Sequence, residues 1–144
     1  MSALSNYLEN KLIDHIFRGV AFTAPGTLYL GLFTAAPSDA GGGTEVSGGS
    51  YARVAITPNS TNFANTQNSG VGVSSGTGGA TSNLTTITFP SPSASWGLCT
   101  HIGMFDASTA GNLLYHGALT VSRTVDNGGP APVVNIGEHV FTFA

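Results

Sequence analysis

The sequence predicts a mainly β protein: an antiparallel β-sandwich, jelly-roll-like, preceded by one N-terminal α-helix. Three observations carry this. The apolar period changes at Gly19, from about 3.6 residues before it to 2 after it. The segments of period 2 are short and are separated by Gly, Asn, Asp and Pro signals. The 144 residues are 41% hydrophobic with a net charge of −3, which suits a buried core and not the low-hydrophobicity, high-charge composition of disorder. The expected organisation is a single domain over residues 1–144. A helical arm covers 1–19, and a β-sandwich covers 20–144 with long loops at 34–50 and 57–83.

In the arm, Leu4, Leu8, Leu12, Ile13, Ile16 and Phe17 recur at spacings of three and four and make one apolar stripe. Ser2, Ser5 or Asn6 suits the N-cap, and Asn6 with Glu9 three positions on resembles a capping box. Gly19 suits the position just past the C-cap. The stripe has two possible partners, the chain's own sheet or a neighbouring subunit. The expected strands are Thr27–Phe33, Ala52–Thr57, Leu84–Phe89, Leu98–Phe105, Leu113–Val125 and Val133–Phe143. Alternation in the fourth puts Leu98, Thr100, Ile102 and Met104 on one face and Cys99, His101, Gly103 and Phe105 on the other. Gly117 marks a candidate bulge. Asp106–Gly111 reads as a compact hairpin loop and Asp126–Gly129 as a turn. The uncharged segment Asn59–Asn83 is a long loop of the kind ordered by a partner, suited to intersubunit contacts.

Charge is scarce at 8% of residues, against roughly 25% in an average soluble domain. Small uncharged polar groups replace it. Such a surface risks self-association in a free monomer and fits an obligate assembly, because interface cores are depleted in charge. With only Lys11, Arg18, Arg53 and Arg123 as basic residues, no face can neutralise a run of phosphates, so nucleic acid is not an expected partner. No apolar run approaches the ~20 residues of a membrane helix, and Met1–Gly19 does not read as a secretory signal. The single cysteine, Cys99, excludes an intrachain disulfide.

The sequence carries no pattern that marks catalytic, cofactor-binding or metal-ligating residues. His101 and His116 could face each other across the hairpin, with Asp106 or Glu138 completing a metal site, but no short ligand motif supports this over a cross-strand pair. Cys99 lacks a nucleophile signature and reads as a small buried apolar residue. No G-x-S-x-G elbow occurs, and the Gly runs lack the Lys-Ser/Thr of a phosphate loop. Asp39, Glu45, Asp106 and Asp126 read as turn caps rather than a glycosidase pair. Trp96 reads as a plug at one end of the sandwich, with a carbohydrate-stacking platform as the functional alternative. Arg53 suits pairing with Glu45 or with an acidic patch on a capsid. The candidate interface residues are Leu4, Tyr7, Leu8, Lys11, Glu45, Tyr51, Arg53 and Phe63.

Three blocks, LSNYLENKLIDHIF (Leu4–Phe17), LYLGLFTAAPSDAGGGTEVSGGSYARVAI (Leu28–Ile56) and WGLCTHIGMFDASTAGNLLYHGAL (Trp96–Leu119), together resemble a family of small bacteriophage virion structural proteins. Members are often labelled tail fibre proteins and are similar in size and composition to capsid cement or decoration proteins. The resemblance implies a non-enzymatic virion protein without cofactors, assembled in the host cytoplasm. The expected role is a capsid cement that stabilises the head by bridging capsomers, with the major capsid protein and itself, as a homotrimer, for partners. The alternative is a tail-fibre or baseplate-associated protein that contacts other tail proteins and a host receptor.

Overall fold

The computed structural model describes residues 3–66 and 72–143. Part of the predicted 57–83 loop, residues 67–71, and the candidate cap Ser2 lie outside the described residues. In chain order the elements are β1 (Ala3–Leu4), α1 (Asn6–Phe17), β2 (Leu28–Ala35), β3 (Thr44–Glu45), β4 (Val54–Ile56), β5 (Ala80–Ser82), β6 (Ile87–Thr88), β7 (Gly97–Phe105), β8 (Leu113–Val125), β9 (Val133–Val134) and β10 (Val140–Thr142).

The main unit is a six-stranded antiparallel sheet in the order β1-β8-β7-β2-β3, with β4 also on β2. β3 and β4 share one edge of β2: β4 pairs with Leu28–Leu30, and β3 with Phe33 and Ala35. Large apolar side chains alternate to both faces of β2. Leu30 and Leu32 enter the main core, while Phe33 joins Phe105, Leu113 and Tyr29 in a smaller cluster.

The expected sandwich does not form. Among the described residues the sheet is not closed, and no second sheet of comparable size faces it, as a jelly-roll requires. Two two-stranded ribbons, β5–β10 and β6–β9, stand where a second sheet was expected. The reason is local. Periodicity predicts one strand over Val133–Phe143, but a turn divides it. The Glu138 N–H donates to the Asn135 carbonyl at 3.0 Å, and the Glu138 carboxylate accepts the Asn135 N–H at 2.6 Å. Gly137 takes the left-handed conformation that this turn needs (φ +71). Asn83 fixes the same kink from the other side. Its amide donates to the carbonyls of Thr85 (2.9 Å) and Asn135 (2.7 Å), its side-chain oxygen accepts the His139 N–H (3.2 Å), and its carbonyl accepts the Gly137 N–H (2.8 Å). The chain therefore makes two short ribbons offset from each other rather than one long pair of strands.

β7 departs from strict alternation. His101 pairs with Ala118 but Cys99 pairs with Arg123, so Thr100 alone stands against Leu119–Ser122 of β8. A bulge of this kind reverses which side chains face inward. Cys99 is 1% exposed and packs in the same core as Ile102 and Met104, whereas Leu98 turns outward. Gly117 itself stays in register opposite Ile102. Burial pushes the Cys99 thiol above its ordinary pKa, which makes it inert. Trp96 is buried, donates its indole N–H to the Gly49 carbonyl at 2.9 Å and meets Tyr51 edge-on at 5.3 Å. Its ring belongs to the core and offers no face to a sugar.

The cap of α1 is Ser5. Its hydroxyl accepts the Leu8 N–H at 3.2 Å and donates to the Leu113 carbonyl, and its own N–H donates to Leu114 at 2.9 Å. Asn6 is already the first helical residue, so the Asn6/Glu9 capping box does not form. One buried serine thus starts the helix and ties it to β8. At the other end Gly19 (φ +69) turns the chain and lets the Val20 N–H reach the Asp14 carbonyl at 3.0 Å.

His139 is buried edge-on against Phe141, with ring centroids 4.5 Å apart, and its Nε2 has no hydrogen-bond partner among the described residues. Burial lowers its pKa to about 4. Between the ordinary value of 6.5 and about 4 the unfolded chain binds the proton and the folded chain does not. Stability from this group is therefore complete above 6.5 and is lost as pH falls toward 4, by up to about 3 kcal/mol. Denaturant midpoints recorded from pH 7 to pH 4 should fall more steeply for the wild type than for His139→Phe; parallel curves would remove His139 from the account.

Candidate functional site

The polar constellation that stands out is built on the shared edge of β2. Gly31 and Leu32 pair with Gly103 and Ile102 of β7 on one side, but on this edge, between β4 and β3, they meet no strand partner. The Leu32 carbonyl is taken by the Val46 N–H at 2.9 Å. The Leu32 N–H donates to the Tyr51 hydroxyl at 2.9 Å, so a side chain completes the sheet edge where backbone does not. The Tyr51 ring packs in the opposite sense, stacked on Phe89 at 6.4 Å and edge-on to Trp96. Burial raises its pKa well above the ordinary tyrosine value, so the phenol keeps its proton and donates to Glu45 Oε1 at 2.9 Å.

Glu45 receives Arg53 through both oxygens. Arg53 Nε donates to Oε1 at 2.8 Å and its Nη2 to Oε2 at 2.7 Å. The remaining terminal nitrogen donates to the carbonyls of Ala107 (2.9 Å) and Ala110 (2.8 Å) in the β7–β8 hairpin loop. The guanidinium lies 3.4 Å from the centre of the Phe105 ring. The Arg53 side chain is 8% exposed and that of Glu45 25%, so the pair is largely shielded from water and its geometry counts for more than that of a surface pair. A lysine offers neither the planar fork nor the stacking surface.

Gly31 makes room for the network. A Cβ there would stand 2.9 Å from Glu45 Oε1 and 3.0 Å from the Tyr51 hydroxyl. The hairpin loop is rigid on its own account, because Asp106 accepts both the backbone and side-chain N–H groups of Asn112 at 2.7 Å. Arg53 therefore clamps a preformed loop to the far edge of the sheet.

Of the eight candidate interface residues, Glu45, Tyr51 and Arg53 come together in this clamp, and their polar groups are satisfied within the chain. Leu4 pairs with Tyr115 in the sheet and packs on the main core. Leu8 and Phe63 line one apolar groove with Tyr115 and Phe141. Tyr7 is half-buried, with the Lys11 ammonium 5.6 Å from its ring centre. The histidines are dispersed in role. His116 meets Asp39 at 2.9 Å, His101 bonds Thr100 at 2.8 Å, and His15 accepts the Phe22 N–H at 3.3 Å at the end of α1. Asp106 and Glu138 are engaged in their turns. Gly31 and Asn83 were not singled out from sequence. A glycine interrupting an apolar strand signals close approach, whereas nothing local marks Asn83 among the other asparagines.

Tyr51→Phe keeps the ring but leaves the Leu32 N–H and one Glu45 lone pair unmatched. It should cost about 1–3 kcal/mol of stability and speed hydrogen exchange at the Leu32 amide. Unchanged exchange there would show that the hydroxyl does not complete the edge.

No match is found among curated proteins. A family model described as Gp80, podophage GP4 fiber I protein gp80, matches residues 3–142, which is nearly the whole chain. The chain belongs to this phage fibre family.

Proposed function

We propose that this protein is a tail-fibre component of the virion, joined to other tail proteins and placed to contact the host receptor, rather than a capsid cement. The single observation that carries the reading is the family match, whose description names a fibre and whose extent covers residues 3–142. As a member of that family the chain is a virion structural protein and not an enzyme. Among the described residues, no group of three or more His, Cys, Asp or Glu side chains is placed to hold a metal.

The surface supports an assembly role. Arg53 is turned inward onto Glu45, Arg18 is paired with Asp14 at 2.8 Å and Lys11 lies over Tyr7; exposed Arg123 is a single cation, so among the described residues no basic face is formed for nucleic acid. A sheet with a clamped edge can transmit load and present contacts without any chemistry of its own.

Quantitative mass spectrometry of purified virions, referenced to the major capsid protein, separates the two locations. A dozen or a few dozen copies per particle is the expected result. Hundreds, in a simple ratio to the capsid protein, would return the protein to the head.

A further inference from the structure

We propose that the cavity between the bulge of β8 and the turn joining β9 to β10 binds a single neutral sugar unit. The cavity measures about 350 Å³. Its floor is apolar, made by the buried side chains of Leu32, Phe89, Cys99 and Val134. One wall exists because of the bulge: Leu119–Ser122 stand opposite Thr100 alone, and all four line the cavity. Bulges often re-aim side chains at functional sites. His139 makes another wall, and the exposed residues Arg123 and Glu138 stand at the mouth.

His139 is the residue that calls for a ligand. It is 8% exposed, and its Nε2 is the one buried side-chain nitrogen or oxygen without a partner among the described residues. The ring is not free to move toward a partner. Asn83 holds the His139 backbone N–H at 3.2 Å, and the imidazole meets Phe141 at 4.5 Å and Tyr115 at 6.2 Å. Neither of those rings lines the cavity, so the cavity lies on the other side of the imidazole. Buried polar groups in native proteins are nearly always matched. One water would fill only about 30 Å³ and needs two to four polar partners, which an apolar floor does not supply.

Size and polarity select the class of ligand. Benzene already fits a cavity of about 150 Å³, so this one takes roughly a dozen non-hydrogen atoms, the size of one hexose. Burial keeps the imidazole neutral at neutral pH. An ion on this floor would lose more hydration than one hydrogen bond returns. A hydroxyl both donates and accepts, so it matches either tautomer of His139. The C–H face of a sugar ring suits the floor. Its outer hydroxyls suit the mouth, where Thr120 and Ser122 offer hydroxyl groups and Arg123 and Glu138 offer one charge of each sign. The inference deepens the receptor-contact reading and rests on it for the source of the sugar, a glycan of the host surface. Binding is read on the purified chain and location on the particle, so the two fail separately.

The test is a nuclear magnetic resonance titration of the labelled full-length chain, followed at the His139 ring and at Leu119–Arg123. The probes are glucose, galactose, rhamnose and N-acetylglucosamine, with leucine as a zwitterion of similar size. At least one sugar should shift these resonances saturably, with a Kd on the order of 1 mM. His139→Phe, with circular dichroism to confirm the fold, should weaken that binding roughly tenfold or more. Arg123→Gln, at an exposed position without an ion-pair partner among the described residues, should weaken it about threefold. No shift with any of the four sugars at tens of millimolar overturns the proposal and leaves the cavity to water. So do shifts that leave His139 untouched, an affinity that neither substitution changes, or binding of leucine in preference to every sugar.

Discussion

The edge of β2 is the constraint on which the rest of the structure depends. One strand must carry two short neighbours on the same side, and on that side the backbone between them has no strand to pair with. An unfilled gap would leave the Leu32 N–H unsatisfied beside the core. Tyr51 fills it with a hydroxyl, and that hydroxyl in turn needs an acceptor, Glu45. A carboxylate so placed needs a cation, and Arg53 supplies one with nitrogens left over for the hairpin loop. Each group is thus called for by the one before it. The chain of satisfaction runs from the middle of the sheet to the loop that joins β7 and β8.

The absence of a second full sheet follows from how the C-terminal third is punctuated. Asn83 and the Asn135–Glu138 turn hold a kink that no long strand could cross. What the ribbons lack in area, aromatic rings supply: Phe89, Trp96, Tyr51 and Phe141 share one core with Leu30, Leu32, Ile102, Met104 and Tyr115 of β2, β7 and β8. The resulting body turns Arg53 inward onto Glu45, keeps its other few charges at the surface and leaves apolar side chains exposed beside them. That balance suits a part that works inside an assembly and is poorly suited to a free, soluble monomer.

Much of this was legible in the sequence, and the limits have physical causes. The helix, its Gly19 stop, β2, β7 and β8 followed from period and turn residues, since each is long enough for its pattern to dominate. The pairing of Glu45 with Arg53 was one of two options raised from charge alone. The sandwich was misread because the strand periodicity of Val133–Phe143 masks the turn at Asn135–Glu138, which the long-range bonds of Asn83 hold in place. The faces of β7 were misread because a bulge depends on the partner strand and leaves no local mark near Cys99. The helix stripe read as one face and is two: Leu8 and Leu12 turn to the body, while Ile13, Ile16 and Phe17 turn away. Two-residue strands such as β1 and β3 exist only through their partners, and no pattern of two residues can announce them.

The measurement closest to the central claim is a double-mutant cycle on Glu45 and Arg53, using Glu45→Gln and Arg53→Met in equilibrium denaturation. A clamp largely shielded from water predicts a coupling energy of about 2 kcal/mol, with the double variant recovering part of what either single change loses. A coupling below about 0.5 kcal/mol, the range of exposed surface pairs, would contradict the account and leave the edge of β2 held by packing alone.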